Sequence, residues 1–496
     1  MTLIFDGHSY RYELESLCRF FFTGETVTSV FRGTPEDSGD YEAYILTSLR
    51  RGEGGTTLTV RARYRGREEQ AQDKVPNGVR DYDHDCEYAF GVLLYRALSA
   101  LTGVFPQWGV LTGIRPVKLF RRLLDEGKSP EEARKYFEEQ YLVTPEKSAL
   151  AACIAENQRR ILSLSGEKSY SLYLSMPFCP SRCRYCSFVS HNIEKTKRLV
   201  PDYLRLMCEE IRAAGRQARE LGLRLASIYF GGGTPTAVTA PQLRQILDAV
   251  AESFPVSDAL EYTVEAGRPD TIDRDKLRVM KEAGVTRISI NPQTLQDEVL
   301  RAIGRNHTAA QTVEAFHLAR EMGFDDINMD LIAGLPGDTL AGFRDTLSKV
   351  MALGPENVTV HTLTVKRSSD MGGEYASLYK ATEEEVSAMV DHARQRLMDG
   401  GWQPYYLYRQ KNTIANLENV GYAKSGHESD YNIFIMEEVH TILAVGAGAV
   451  TKLVAPTGKI ERIYNYKYPY EYIDRFDQMM ERKNRVVSFY EHNGLK

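Results

Sequence analysis

Cys179, Cys183 and Cys186 fall within eight residues as C-x3-C-x2-C, in the segment PFCPSRCRYCSF. Thiolates at this spacing can converge on one face of a compact metal centre. A structural zinc ion takes four ligands, and His191, five residues beyond Cys186, would complete a loop of three cysteines and one histidine. Uncoordinated core thiols are a second bland reading. An iron–sulfur cubane on three thiolates leaves one iron open, so that a small molecule can bind there and react. The total of seven cysteines is odd and has no disulfide-framework spacing, which suits a reducing compartment and a cytoplasmic location.

Further groups with chemical potential follow at intervals. Gly231, Gly232 and Gly233 in YFGGGTPT let backbone amides approach a ligand, although the same triplet also serves a tight turn. Glu265 ends EYTVEAG, where a carboxylate can bind a ligand, cap a helix or face solvent. Arg305 can fork to a carboxylate, and Asp330 can accept from hydroxyls; Gln293 adds an amide. Tyr173 stands six residues before Cys179, as an ordinary lining aromatic would, and Tyr185 directly precedes Cys186.

Residues from about 168 to 366 must position these groups. SLYLSMP, ASIYFGGG, LEYTVEAG, TRISINPQ, INMDLIAG and NVTVHTLT alternate with amphipathic helical stretches, which predicts six parallel strands covered by helices. A partial (β/α)6 barrel, TIM-like, is the expected α/β architecture, with an open doubly wound sheet as the competitor. The motifs lie at or near the strand C-termini, where such folds place function. The predicted division is an N-terminal α+β domain over 1–165, the barrel over 166–368 and a C-terminal extension over 369–496.

With 496 residues, 43% of them hydrophobic, the chain can bury sizeable cores, which excludes wholesale disorder. A net charge of −5 supplies no global field for nucleic acid or an anionic membrane surface, so neither is an expected partner. No stretch is apolar for long enough to span a membrane, so stable insertion is not expected.

PFCPSRCRYCSF resembles the signature of the radical S-adenosylmethionine (radical SAM) enzymes. The resemblance implies a [4Fe-4S] cluster on Cys179, Cys183 and Cys186, with S-adenosylmethionine at its open iron, cleaved by one electron to methionine and a 5′-deoxyadenosyl radical. It also implies cofactor contacts from Tyr173, Tyr185, Gly232, Gly233, Thr234, Glu265, Gln293, Arg305 and Asp330, with Tyr173 and Glu265 closest to the chemistry. Together with YFGGGTPT, SINPQTLQDEVLRAIGR, DLIAGLPGDT and HTLTV, the signature is similar to the oxygen-independent coproporphyrinogen III oxidase (dehydrogenase) family. LTGIRPVKL and YLYRQKN point to its HemZ branch.

That family resemblance implies oxidative decarboxylation of coproporphyrinogen III to protoporphyrinogen IX, with an external one-electron donor such as flavodoxin or ferredoxin. Its alternatives are a haem-binding trafficking protein, as in the related haem-chaperone branch, or radical chemistry on another tetrapyrrole such as anaerobic haem degradation. A tetracarboxylate substrate calls for a cationic rim, for which Lys366, Arg367, Arg409, Lys411 and Lys424 are the candidates. Two departures are visible. Phe188 stands where one branch carries a further cysteine, and Tyr431, Asn432, Phe434 and Ile435 interrupt the haem-chaperone pattern after GHESD.

Overall fold

The alternation in YILTSLRRG and GTTLTVRARY buries one face of each strand and leaves the other to solvent. In the computed structural model, which describes all residues except 23–24, 35–36, 38, 40, 80, 187, 189, 365–381, 411–412 and 496, these are two strands of a five-stranded sheet. That sheet contains β1 (Thr2–Asp6), β2 (Thr28–Phe31), β3 (Tyr44–Gly52), β4 (Gly55–Tyr64) and β5 (Arg67–Val75), in the order β2-β1-β3-β4-β5. Helices Arg11–Phe21 and Tyr82–Thr102 pack on it through Leu14, Leu17, Phe90 and Leu94, forming the core of the first unit.

The second unit is built on β6 (Ser169–Met176), the short pair β7 (Phe178–Cys179) and β8 (His191–Asn192), then β9 (Arg224–Gly232), β10 (Glu261–Glu265), β11 (Arg287–Ser289), β12 (Ile327–Ala333) and β13 (Asn357–Thr362). After these come β14 (Gln403–Arg409), β15 (Glu418–Ala423), β16 (Thr441–Val445), β17 (Val450–Val454) and β18 (Ile460–Tyr464). Strands β6 and β9 to β13 are parallel neighbours in chain order. A doubly wound sheet would reverse its winding at a switch point. The predicted six-stranded partial barrel is therefore the architecture found. Several of the helices between its strands start on side-chain caps, Thr239, Asp273, Thr308 and Thr339 among them, which marks where those connections end. Among the described residues, no helix is long and apolar enough to cross a membrane.

Packing yields two compact units where the sequence suggests three segments. One unit is Met1–Ala155 with Ala415–Leu417; the other is Glu156–Ile414 with Glu418–Lys496. The first boundary falls before 165 because Asn157 and Gln158 donate to the carbonyls of Pro404 and Tyr405 at 2.7 and 3.0 Å, and Ile161 packs among Tyr405, Tyr406 and Phe434. The described residues beyond 369 form no unit of their own. Their strands continue the same eleven-stranded sheet, with β15 antiparallel to β13 and β16 parallel to β6.

The C-terminal segment is bolted to the barrel by a buried ion pair. Lys483 Nζ lies 2.7 Å from Glu210 Oε1, and the two side chains are 5% and 1% exposed. Glu210 also accepts from Tyr472 Oη at 2.6 Å, from Asn465 Nδ2 at 2.8 Å and from the backbone N–H of Gly446 at 2.8 Å. A Cβ on Gly446 would sit 2.3 Å from the carbonyl oxygen of Ser175, so glycine is what allows this turn to lie against the end of β6. Breaking a buried pair leaves an uncompensated charge at a cost of about 3–5 kcal/mol. Lys483→Met is therefore expected to destabilise the second unit by that amount in urea denaturation followed by circular dichroism, whereas Lys459→Met at an exposed pair should change little.

Candidate active site

The cysteine loop leaves the C-terminal end of β6 and is closed at its base. β7 pairs with β8, His191 N–H donates to Pro177 O at 2.8 Å, and Asn192 Nδ2 donates to Pro180 O at 2.7 Å. A turn inside the loop puts Cys186 N 3.0 Å from Cys183 O. The glycine segment ending β9 presses on it from one side: Gly233 N–H donates to Met176 O at 2.6 Å and Thr234 N–H to Phe178 O at 2.8 Å. Thr234 Oγ1 donates to Cys179 Sγ at 3.4 Å. A Cβ on Gly233 would meet Phe178 O at 2.6 Å and Cys179 Sγ at 3.0 Å, which explains the missing side chain.

The residues for which the resemblance implies cluster or cofactor contacts all line one cavity of about 600 Å3: Tyr173, the three cysteines, Tyr185, Gly232, Gly233, Thr234, Glu265, Gln293, Arg305 and Asp330. Strand periodicity explains the convergence. Tyr173 and Tyr229 are register partners at the partly open positions of otherwise buried strands, and Asp330 alternates with buried Met329 and Leu331.

Enclosure pushes the Glu265 carboxyl up to about 7; Tyr229 Oη, donating at 2.6 Å, opposes the shift and the charge of Asp330 adds to it. Asp330 goes the other way. Burial would raise it, but His361, whose Nε2 lies 3.6 Å away, together with Asn328 Nδ2 at 2.8 Å and Thr359, holds it below the usual carboxylate range. Gln293 sits at φ +67° with its N–H on Asp330 O, and its buried Oε1 has no partner among the described residues. Asn291 Oδ1 and Arg305 Nε are likewise buried without partners, so this wall offers both acceptors and a donor to a polar ligand.

The donor set fits the inferred cofactors. Burial raises the Cys179 thiol and takes Cys186 to about 11, so these sulfurs become thiolates when a metal centre replaces their protons. Among the described residues, no three His, Cys, Asp or Glu side chains are placed to hold a single metal ion. His191 turns its ring towards Tyr468 and Tyr470, with centroids 6.0 and 6.5 Å away.

Other residues come from the structure alone. Arg268 reaches the cysteine loop, and Tyr229 and Tyr431 stack at 4.5 Å beside Tyr173. Tyr406 and Tyr408 also line the cavity and stack at 6.3 Å, with Tyr408 Oη 3.3 Å from His361 Nδ1. The i, i+2 spacing in YYLYR was the available signal for the last pair.

Of the expected cationic rim, neither described residue lines this cavity. Lys424 donates to Gly354 O at 2.8 Å and covers the Trp402 ring, beside the start of β13. Arg409 is buried opposite Glu418 on β15, and Lys366, Arg367 and Lys411 lie outside the described residues.

The Radical SAM superfamily profile matches residues 173–350. The fold resembles that of coproporphyrinogen III oxidase HemN from Escherichia coli, with a TM-score of 0.52 and 22% identity over 65% of this chain and 72% of that one. Barrel, cysteine loop and profile together define a radical SAM protein, whose cofactors are a [4Fe-4S] cluster and S-adenosylmethionine.

The chain is 44% identical to the oxygen-independent coproporphyrinogen-III oxidase-like protein HemZ of Bacillus subtilis, over 79% of each sequence. It belongs to that HemZ-like family. It is also 30% identical to the heme chaperone HemW of Haemophilus influenzae, over 63% of this chain and 78% of that protein.

Two outcomes follow. Alanine at Cys179, Cys183 or Cys186 is expected to remove bound iron and acid-labile sulfide together, read by elemental and sulfide analysis after anaerobic reconstitution. If Glu265 binds S-adenosylmethionine as a carboxylate, protonation competes, so affinity should weaken as pH falls through about 7, by up to about tenfold per pH unit. Isothermal titration with S-adenosylmethionine tests this, and Glu265→Gln should flatten the profile.

Proposed function

We propose that the protein carries out oxygen-independent oxidative decarboxylation of coproporphyrinogen III to protoporphyrinogen IX. The observation that carries this reading is the sharing of one cavity by the three thiols, the polar group around Glu265 and Asp330, and an aromatic wall, in a chain with HemZ as a relative. When bound, the cluster and S-adenosylmethionine supply one-electron cleavage of the sulfonium and hydrogen-atom abstraction from a propionate. Two of the four propionates each give up a hydrogen atom, carbon dioxide and one electron, the electron passing to a one-electron acceptor, and become vinyl groups. An external one-electron carrier of the flavodoxin or ferredoxin class serves as donor.

The chain's own residues supply position and exclusion. Gly232, Gly233 and Thr234 present backbone and hydroxyl groups beside Cys179 for a cofactor amino group. Arg305 and Gln293 offer a cation and an amide for a carboxylate and for hydroxyls, while ionised Asp330 accepts from a ribose. Glu265, held by Tyr229, can accept from a cofactor amine once it has lost its proton. Tyr173, flanked by Tyr229 and Tyr431, gives a flat apolar surface. Tyr406 and Tyr408 supply ring faces for a macrocycle, and Tyr408 with His361 supplies polar contacts for a propionate.

Anaerobic incubation of reconstituted protein with reductant, S-adenosylmethionine and coproporphyrinogen III is expected to yield protoporphyrinogen IX and 5′-deoxyadenosine. Cofactor cleavage with unchanged porphyrinogen would reject this substrate. The haem-chaperone relative favours a second reading, haem binding without turnover. It predicts a stoichiometric haem complex on anaerobic titration and no decarboxylation, while a ring-opened product by mass would indicate haem degradation.

A further inference from the structure

Arg268 belongs to no sequence motif singled out above, yet its side chain joins the loop after β10 to the cysteine loop. Only 4% of it is exposed. Nη1 donates to Ser181 O at 3.3 Å and to Cys183 Sγ at 3.7 Å, and Nη2 donates to Ser181 Oγ at 3.1 Å. Its other edge is held by Asp270: Nε to Oδ1 at 3.0 Å and Nη2 to Oδ2 at 3.1 Å. His307, whose side chain is fully buried, places Nδ1 3.7 Å from Asp270 Oδ1. Burial holds that imidazole below its ordinary pKa. The permanent charges on this side of the loop are therefore the guanidinium and the carboxylate, while Arg305 approaches Cys183 beside Tyr185.

We propose that Arg268 is a positioning residue that sets the reduction potential of the cluster through its N–H···S contact with Cys183, with Asp270 orienting the guanidinium and partly offsetting its charge. The warrant is electrostatic. Reduction adds one negative charge to a cluster ligated by Cys183, and hydrogen bonds and positive charge at the ligand sulfurs favour the reduced form. A buried guanidinium, always ionised and fixed between the loop and its own carboxylate, delivers that effect without reorganising. Because the two groups carry opposite charge, neutralising Asp270 while an amide oxygen still accepts from Arg268 Nε moves the potential opposite to neutralising Arg268. A bracket that only shaped the loop would alter how much cluster is held and leave its potential where it was. The inference rests on the cluster and is independent of the tetrapyrrole substrate.

The test is an EPR-monitored redox titration of the reconstituted full-length chain, with iron and sulfide measured on each preparation. Arg268→Gln is expected to shift the midpoint negative, lowering the reduced-to-oxidised ratio at a fixed potential by about tenfold, which is ~59 mV for one electron. Arg268→Lys, which keeps the charge and loses the fork, should recover part of the shift. Asp270→Asn should move the midpoint positive. An unchanged midpoint or a negative shift in Asp270→Asn would overturn the proposal even if Arg268→Gln holds no iron. An unchanged midpoint with reduced iron content in Arg268→Gln would also overturn it and leave a purely structural bracket.

Discussion

Three thiols on one short loop can share an inorganic centre only if the loop is prevented from folding onto itself. Such a loop has little apolar surface of its own to bury, so its shape must come from hydrogen bonds to elements that are already rigid. The barrel supplies these at three places: the end of β6 with the glycine segment after β9, Arg268, and the turn that ends helix Asp297–Ala302. At that turn Arg184 N–H donates to Ile303 O at 3.0 Å and Ser181 Oγ to Gly304 O at 3.3 Å. Each anchor lies at a strand C-terminus or in the connection that follows one. The direction of the sheet therefore determines where the cluster can be held.

Enclosure by the barrel then sorts the charges within the cavity. Glu265 and Asp330 are both carboxylates, yet their environments displace them in opposite directions. Burial of Glu265 is opposed by one neutral donor, Tyr229, which does not compensate for it. Asp330 has His361, Asn328 and Thr359, which do. Two acids thereby acquire different duties, one able to exchange a proton near neutrality and one fixed as an acceptor. The aromatic lining strengthens the first effect, because ring faces exclude water without adding charge.

Much of the barrel is legible in the primary structure because it repeats a local pattern. Each apolar β-branched run followed by a helical stretch marks a strand end, and the cysteine spacing, the glycine triplet and the polar residues after the strands can be placed from it. The illegible part is non-local. Nothing in EAGRPD says that Arg268 will cross to Ser181 and Cys183, because that contact joins residues far apart in the chain. Two of the five candidates for a cationic rim do not line the cavity, for a related reason. Counting basic residues locates Arg409 and Lys424, but strand register and the packing before β13 turn them to internal partners, and the basic residues that line the cavity include Arg268, Arg287, Arg305 and Lys452.

The C-terminal segment shows how far such non-local constraints reach. Strand β16 adds to the barrel beside β6, and the turn after it sits on the carbonyl of Ser175, one residue before Met176 receives the N–H of Gly233. Tyr203 spans the same junction, donating to Ser175 O at 2.7 Å and accepting from Ala447 N–H at 3.0 Å. Glu210, paired with Lys483, holds that turn from behind. Residues beyond 440 thus fix the strand end from which the cysteine loop departs, although none of them is a cluster ligand. A segment that reads in sequence as an extension is, in packing terms, part of the frame that keeps three thiols apart and facing one cavity.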